Sequence, residues 1–348
     1  MNYRAVITGI GTVSSIGIGW EEFCNGIKNE RKCFSFLPDN VFPKRTLTAP
    51  IANFSVDKYL RAPKAYLDRS SQFLFAAVTL ALENASLPSP PIETALITGT
   101  QYASMETSAV FYRDVVEKGP RFAKPFLFPH CYSNTGISLI SIEYGLKGIH
   151  LNLASGLCAG LEALYYASNL IVSGKAHIAI AGGFDAISLP ILHGFYASEL
   201  LSDSLNGFIP GEGAGIFIIE NYDYAISRKA PIKAFIAGGG IGSTPGKAME
   251  KTCHVTKPDY IVTSANGIKT IDDAEESAIK EIYGSHQKVM PRLFSLKKIV
   301  GETFAAGGSL NTAAAIYLLN NVNNEKVNIL ANSIDISGTS VCIILSNK

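Results

Sequence analysis

The side chains of this 348-residue chain that could act as nucleophiles include six cysteines: Cys24, Cys33, Cys131, Cys158, Cys253 and Cys342. None shows the Cys-x-x-Cys spacing of a metal knuckle or redox couple, which leaves single-thiol chemistry or simple packing. The six histidines, His130, His150, His177, His193, His254 and His286, offer acid–base chemistry near neutral pH but no His-x-x-x-His ligand spacing. No metal site is expected. Nor does either glycine cluster make a phosphate cradle. Gly9-Ile10-Gly11 follows a strand, but Ser14 stands where a dinucleotide fingerprint has its third glycine. Gly211 to Gly215 and Gly246-Lys247-Ala248 lack the Gly-Lys-Ser/Thr that holds phosphate and magnesium. No nucleotide or other cofactor is expected.

Any such chemistry must be positioned by elements, and composition says what kind. Hydrophobic residues make up 47% and charged residues 17%, against a usual charged share of about 25%. That deficit excludes disorder and points to extensive buried area or a broad subunit interface. The 30 basic and 29 acidic residues leave a net charge of +1, so no field attracts nucleic acid or an anionic membrane. Neither is an expected partner. The amino terminus runs from Met1-Asn2-Tyr3-Arg4 straight into the strand-like Ala5 to Gly9 without the regions of a signal peptide, so a cytoplasmic protein is expected. The longest apolar stretch, Leu151 to Gly174, is interrupted by Asn152, Glu162 and Asn169, which suits a buried helix better than a membrane span.

Length alone favours two domains or two halves of one α/β fold, and internal similarity selects the halves. Arg4 to Thr12 and Lys233 to Ile241 each combine a basic residue, an apolar run and a glycine turn. Ala95 to Gly99 and Tyr260 to Ser264 are short apolar strands ending in small residues. Helical patterns rich in small residues span Ala159 to Val172 and Ala305 to Leu319, and further apolar strands run at Ile178 to Gly183, Gly215 to Glu220 and Val341 to Leu345. Continuous apolar strands alternating with helices predict sheets covered on both faces. The seam is expected between Asn221 and Ala230, giving halves of 1–225 and 226–348.

Taken together, these segments resemble the β-ketoacyl synthases of the thiolase fold over essentially the whole chain. The resemblance rests on Val6 to Gly17, Gly145 to Gly148, Ala181-Gly182-Gly183, Gly207 to Gly215, Ser295-Leu296-Lys297, Ala305-Ala306-Gly307 and Asn332-Ser333, in the family's order. It implies a duplicated five-layered α/β/α/β/α sandwich that dimerises through a broad apolar face. It also implies a Cys-His-His site, in which the thiolate takes the acyl chain and the imidazoles support decarboxylation of a malonyl carrier protein.

This chain departs from that site at each position. The family's Thr-Ala-Cys-x-x-Gly becomes Ser155 to Gly160, which places Leu157 at the nucleophile position. Cys158 is one residue away, a turn of about 100° on a helix. It is either a small packing residue at a close helix contact or, in another register, a fallback nucleophile. Asn266 replaces the first histidine, and an amide cannot shuttle protons near neutral pH. Glu302 replaces the second, in the run that begins at the matching Lys297. Two unit negative charges about 4 Å apart at an effective dielectric near 20 repel by roughly 4 kcal/mol, on the order of a thousandfold in rate. Protonation of Glu302, or an ion pair with Lys297, would relieve this; the structural pair is the favoured reading. Asp335-Ile336-Ser337-Gly338 stands where the family has a Gly-Phe-Gly-Gly gating loop, and the interval from Gly215 to Asn266 is short for the family.

Ketosynthase-like proteins without the cysteine are chain length factors, which pair with an active synthase in type II polyketide and aryl-polyene assembly. The resemblance therefore implies a non-condensing subunit whose partners are an active ketosynthase and, through the complex, an acyl carrier protein. Tyr102, Phe126 and Phe128 are the bulky candidates for lining the partner's tunnel, with ordinary interface packing as the alternative. Two other readings stay open: an acyltransferase or decarboxylase using Cys158 or a non-standard site, and a structural homodimer or scaffold.

Overall fold

Where the sequence has uninterrupted apolar runs, the computed structural model has fully buried strands. It describes residues 4–253, 255–284, 289–322 and 326–348; the side chain of Cys253, together with Met1 to Tyr3, His254 and His286, lies outside the described residues. The first half supplies β1 (Ala5–Ser14), β2 (Ala95–Gly99), β3 (His150–Leu153), β4 (Ile178–Asp185) and β5 (Gly213–Asn221). The second supplies β6 (Ala234–Gly242), β7 (Tyr260–Val262), β8 (Arg292–Phe294), β9 (Asn328–Ile334) and β10 (Ser340–Ser346).

Hydrogen bonding orders these strands as β8-β7-β9-β10-β6-β1-β5-β4-β2-β3. Read inward from either edge, the sheet repeats itself. β3-β2-β4-β5-β1 and β8-β7-β9-β10-β6 each begin with two parallel pairings and continue with two antiparallel ones. The segments matched in the sequence, Arg4 to Thr12 with Lys233 to Ile241, fall on the two central strands. These join the halves antiparallel, with Ala5 opposite Ile236, Val6 opposite Phe235 and Ile7 opposite Ala234. The seam expected at 225/226 falls inside the short helix Tyr222–Ser227.

Seven helices matter for the site: α1 (Arg69–Asn84), α2 (Met105–Lys118), α3 (Ala159–Val172), α4 (Leu189–Ala197), α5 (Pro245–Cys253), α6 (Lys269–Gly284) and α7 (Ala305–Asn320). α1 starts where the Asp68 carboxylate accepts the Ser71 N–H at 3.1 Å, satisfying a free amide of the first turn. It covers the outer face of β1, β4 and β5, while α5, backed by α6, covers β6 and β10. α3 and α7 pack on each other between the two half-sheets, touching strands of both. The layers therefore run α/β/α/β/α. With helices on both sides, β1, β4, β5, β9 and β10 are buried along their whole length, which explains their unbroken apolar character.

Small residues set the spacing of the inner layer. A β-carbon added to Gly160 of α3 would lie 2.2 Å from the Ala305 carbonyl oxygen and 2.8 Å from Gly183 Cα. A different chemistry marks the outside of the first half. β3 is a sheet edge, and Leu151 on it is exposed, as are Tyr112, Val116, Phe122, Phe126, Phe128 and Tyr132 on α2 and the turns that follow it. Among the described residues, no helix is long and apolar enough to cross a membrane, and no three His, Cys, Asp or Glu side chains converge as metal ligands.

Candidate functional site

The chain leaves β3 and passes through the single 3-10 turn Gly156–Cys158 into α3. Leu157 is 2% exposed and packs among Leu192, Phe195, Phe208, Phe304 and Ile334. Cys158 belongs to the other side of the turn. Its side chain lies in the central core between the half-sheets, and Sγ donates to the carbonyl oxygens of Ser333 and Thr339, each at 3.2 Å. Burial pushes this thiol up to about 12, so little thiolate exists at neutral pH. The turn's backbone is equally occupied: the Gly156 N–H donates to Gln101 Oε1 at 2.9 Å and the Leu157 N–H to Asp335 Oδ1 at 2.8 Å.

Asn266, Glu302 and Lys297 come together in one buried chain of hydrogen bonds. Asn266 Nδ2 donates to Glu302 Oε2 at 2.8 Å, and Lys297 Nζ donates to the same oxygen at 2.7 Å and to Ser264 Oγ at 3.3 Å. The other oxygen, Glu302 Oε1, accepts the Phe304 N–H at 2.9 Å. The Lys297 and Glu302 side chains are 3% and 0% exposed. Each charge in such a pair is tolerable only because the other is present. The group borders a cavity of about 250 Å³ whose lining includes Asn206, Gly207, Ile209 and Lys298. At that cavity Asn266 supplies an amide and Glu302 a carboxylate already bound to three donors; Leu157 lies instead in the apolar cluster around Phe304 and offers no nucleophile.

Phe304 carries the backbone between the ion pair and α7 at φ 55°, ψ −128°. A non-glycine residue there is strained and must be held by its surroundings. Its ring is held by Phe195, stacked at 5.8 Å, and by Tyr102, edge-on at 5.1 Å. Tyr102 thus faces this aromatic cluster and a second, apolar cavity of about 610 Å³ bordered by Met105, Ile191, Phe195, Leu200 and Ile336. Phe126 and Phe128 stand elsewhere, exposed on Pro125–Cys131, where the Phe128 ring meets Phe111 at 5.7 Å and Tyr132 at 5.4 Å. The structure does not bring the three aromatic candidates together.

Two buried carboxylates that the sequence reading did not single out brace the site. Glu275 accepts the Ser264 N–H at 2.9 Å and Asn332 Nδ2 at 2.8 Å, and burial pushes its carboxyl up. Its signal was present: Ile271, Glu275, Ala278 and Ile279 share the helical spacing of a buried face. Asp185, at the end of β4, accepts from Thr100 Oγ1 (2.7 Å), Gln101 N (3.0 Å), Tyr102 N (2.8 Å) and Ala305 N (2.9 Å). It ties the turn that carries Tyr102 to the amino end of α7.

Burial pushes the Asp185 carboxyl from 3.8 up to about 6. A folded-state value above the unfolded one means that the native chain holds the proton more tightly between about pH 4 and 6, so this residue's contribution to stability falls as pH rises through that window. The stability difference between the intact protein and Asp185→Ala is therefore expected to be about 2 kcal/mol larger at pH 4.5 than at pH 7.5. Denaturant titrations at both pH values check this; a difference that stays flat or grows with pH would refute it.

The same architecture recurs in known proteins. Residues 3–225 match the β-ketoacyl synthase N-terminal domain and residues 247–326 the β-ketoacyl synthase C-terminal domain. The chain is 27% identical over 360 residues to the chloroplastic 3-oxoacyl-[acyl-carrier-protein] synthase I of Arabidopsis thaliana, covering 91% of this chain and 76% of that protein. The ishigamide ketosynthase/chain length factor superposes with a TM-score of 0.91 at 22% identity over 100% of both chains. A structure of a type II polyketide synthase acyl-carrier protein in complex with its ketosynthase, bound to the hexaketide, superposes at 0.86 with 21% identity and 99% coverage of each chain. The two domain matches account for most of the chain in the order in which the half-sheets follow one another; with its thiolase-like layers, the protein belongs to the β-ketoacyl synthase family.

Proposed function

We propose that this chain is a non-condensing, chain length factor-like subunit that pairs with an active β-ketoacyl-ACP synthase in the cytoplasm and shapes its acyl tunnel. The pathway class would be polyketide, aryl-polyene or fatty-acid-type biosynthesis, with the acyl carrier protein engaged through the complex. The observation that carries the proposal is Leu157, an apolar side chain at the nucleophile position, packed into an aromatic cluster. Support comes from the Asn266–Glu302–Lys297 chain, which supplies a structural ion pair where the family has two imidazoles. The competing reading, acyl transfer or decarboxylation through Cys158, has against it a thiol sealed in the core and pushed up to about 12.

Likeness to a ketosynthase/chain length factor and to a ketosynthase bound to its carrier protein supports the choice of partners. The exposed apolar side chains around α2 and the edge strand β3 suit a broad subunit contact. Of the three aromatic candidates, Phe126 and Phe128 are exposed to a partner, whereas Tyr102 is half-buried and borders two cavities, of about 610 and 330 Å³.

Co-expression with an active β-ketoacyl-ACP synthase from the same genome tests the pairing: size-exclusion chromatography is expected to give a stable 1:1 heterodimer, and two separate homodimers would overturn it. In that complex, Phe128→Ala and Tyr102→Ala are each expected to lengthen the product, read by mass spectrometry of the carrier-bound chain. Unchanged product length in both variants would sink the tunnel assignment.

A further inference from the structure

The first turn of a helix presents unpaired N–H groups, and in an acyl-transfer site these are the donors that would receive a reacting carbonyl oxygen. We propose that in this chain the Asp335 carboxylate occupies that place permanently, so that the site around Leu157 is plugged from within by the chain's own loop. The proposal deepens the non-condensing reading and rests on it, because it takes Leu157 as the nucleophile position.

Four observations carry it. Asp335 Oδ1 accepts the Leu157 N–H at 2.8 Å across 178 residues of sequence. The neighbouring Gly156 N–H is taken by Gln101 Oε1 at 2.9 Å, so the first two of the turn's three amides are filled by side chains of other loops. Gly156 sits at φ +79°, and a β-carbon there would lie 2.0 Å from Asp335 Oδ1; only glycine leaves room for the carboxylate. Finally, the loop is built to aim it. Asp335 Oδ2 accepts the Ser337 N–H at 2.9 Å, the Asp335 carbonyl oxygen accepts the Gly338 N–H at 2.9 Å, and the Asp335 N–H donates to the Thr339 carbonyl oxygen at 2.8 Å.

A carboxylate in this position does two things. It consumes the donor that a thioester carbonyl would need, and it sets negative charge beside the place where a thiolate or an oxyanion would form. The other ionisable groups felt around the turn are Asp185, Glu162, Tyr102, the Cys158 thiol and the Lys297–Glu302 pair. Exchanging the leucine alone for a cysteine would therefore give a thiol with its thiolate disfavoured and its amide donor already taken.

The test introduces a thiol and then removes the plug in two ways. Leu157→Cys is compared with Leu157→Cys/Asp335→Asn, which keeps the shape and loses the charge, and with Leu157→Cys/Asp335→Gly, which loses both. Iodoacetamide labelling of residue 157, resolved from Cys158 by tandem mass spectrometry, is followed from pH 6 to 10. Asp335→Asn is expected to speed labelling at pH 7 by about tenfold and to move the pH midpoint down by about one unit; Asp335→Gly is expected to speed it further. Equal rates and equal midpoints in Leu157→Cys and the Asp335→Asn double variant, both melting as folded proteins, would overturn the plug even if the glycine variant does not fold. Acyl transfer by the unmodified chain alone would instead overturn the non-condensing reading, whatever Asp335 does.

Discussion

Replacing Glu302 by alanine is expected to destabilise the folded chain by about 3–5 kcal/mol, the cost of leaving a buried charge without its partner. Lys297 Nζ would lose its carboxylate at 2.7 Å and keep only Ser264 Oγ at 3.3 Å. Asn266 Nδ2 and the Phe304 N–H would lose their acceptor as well. Phe304 matters most among these, because its backbone is already strained and the hydrogen bond from its N–H to Glu302 helps to fix it. The paired replacement Lys297→Met/Glu302→Leu, which removes both charges and keeps the volume, is expected to recover more than half of the loss. Chemical denaturation of the three proteins checks this. A double variant as unstable as Glu302→Ala would show that the ion pair is not the source of the effect. The result also bears on function, since a carboxylate whose removal unfolds the site is a poor candidate for moving protons.

Gly160→Val is expected to cost about 3 kcal/mol or more, a large fraction of the roughly 5–15 kcal/mol that keeps a native protein folded. The β-carbon position is set by the backbone, so no rotamer relieves the 2.2 Å approach to the Ala305 carbonyl or the 2.8 Å approach to Gly183 Cα. α3 and α7 would have to separate, opening the layer that both half-sheets share. Gly194 in α4 is the control: an added β-carbon there meets nothing within 4 Å, and alanine is expected to be neutral or stabilising by up to about 1 kcal/mol. Thermal unfolding of the two variants beside the parent protein separates the cases. Similar melting temperatures would mean that the inner helices are not in close contact.

Much of the fold is legible in the sequence because the buried strands and helices have to be apolar along their whole length. Ile178 to Phe184, Gly215 to Ile219 and the α3 and α7 segments carry that mark, and the matching glycine-bearing runs reveal the duplication, although their glycines lie inside β1 and β6 rather than in turns after them. The edge strands are not legible. β3 and β8 span four and three residues, are largely exposed and mix polar with apolar side chains, so no periodicity announces them. The site divides in the same way. The family's order of motifs locates Leu157, Asn266, Lys297 and Glu302, yet the contacts that define their environment come from afar. Tyr102 depends on Asp185, 83 residues away, and Asp335 is only an altered loop residue until the fold brings it to Leu157. Nothing local in Asp185 or Asp335 distinguishes either from a surface aspartate.

The joint between β1 and β6 also sets a timetable. β1 pairs with β5 at residues 214–221 and with β6 at residues 234–236, and it is buried on all sides once both are in place. The ribosome makes β1 more than two hundred residues before those partners. At about 5–20 residues per second, the first strand waits roughly 10 to 45 s with both hydrogen-bonding edges open except at Val13 and Ser14, which pair with Ile18 and Gly17. During that interval it is an apolar ten-residue strand of the kind that pairs with other chains when left uncovered. The earliest strand synthesised is therefore among the last to be completed, and the nascent chain's exposure to aggregation ends only when its second half begins to arrive.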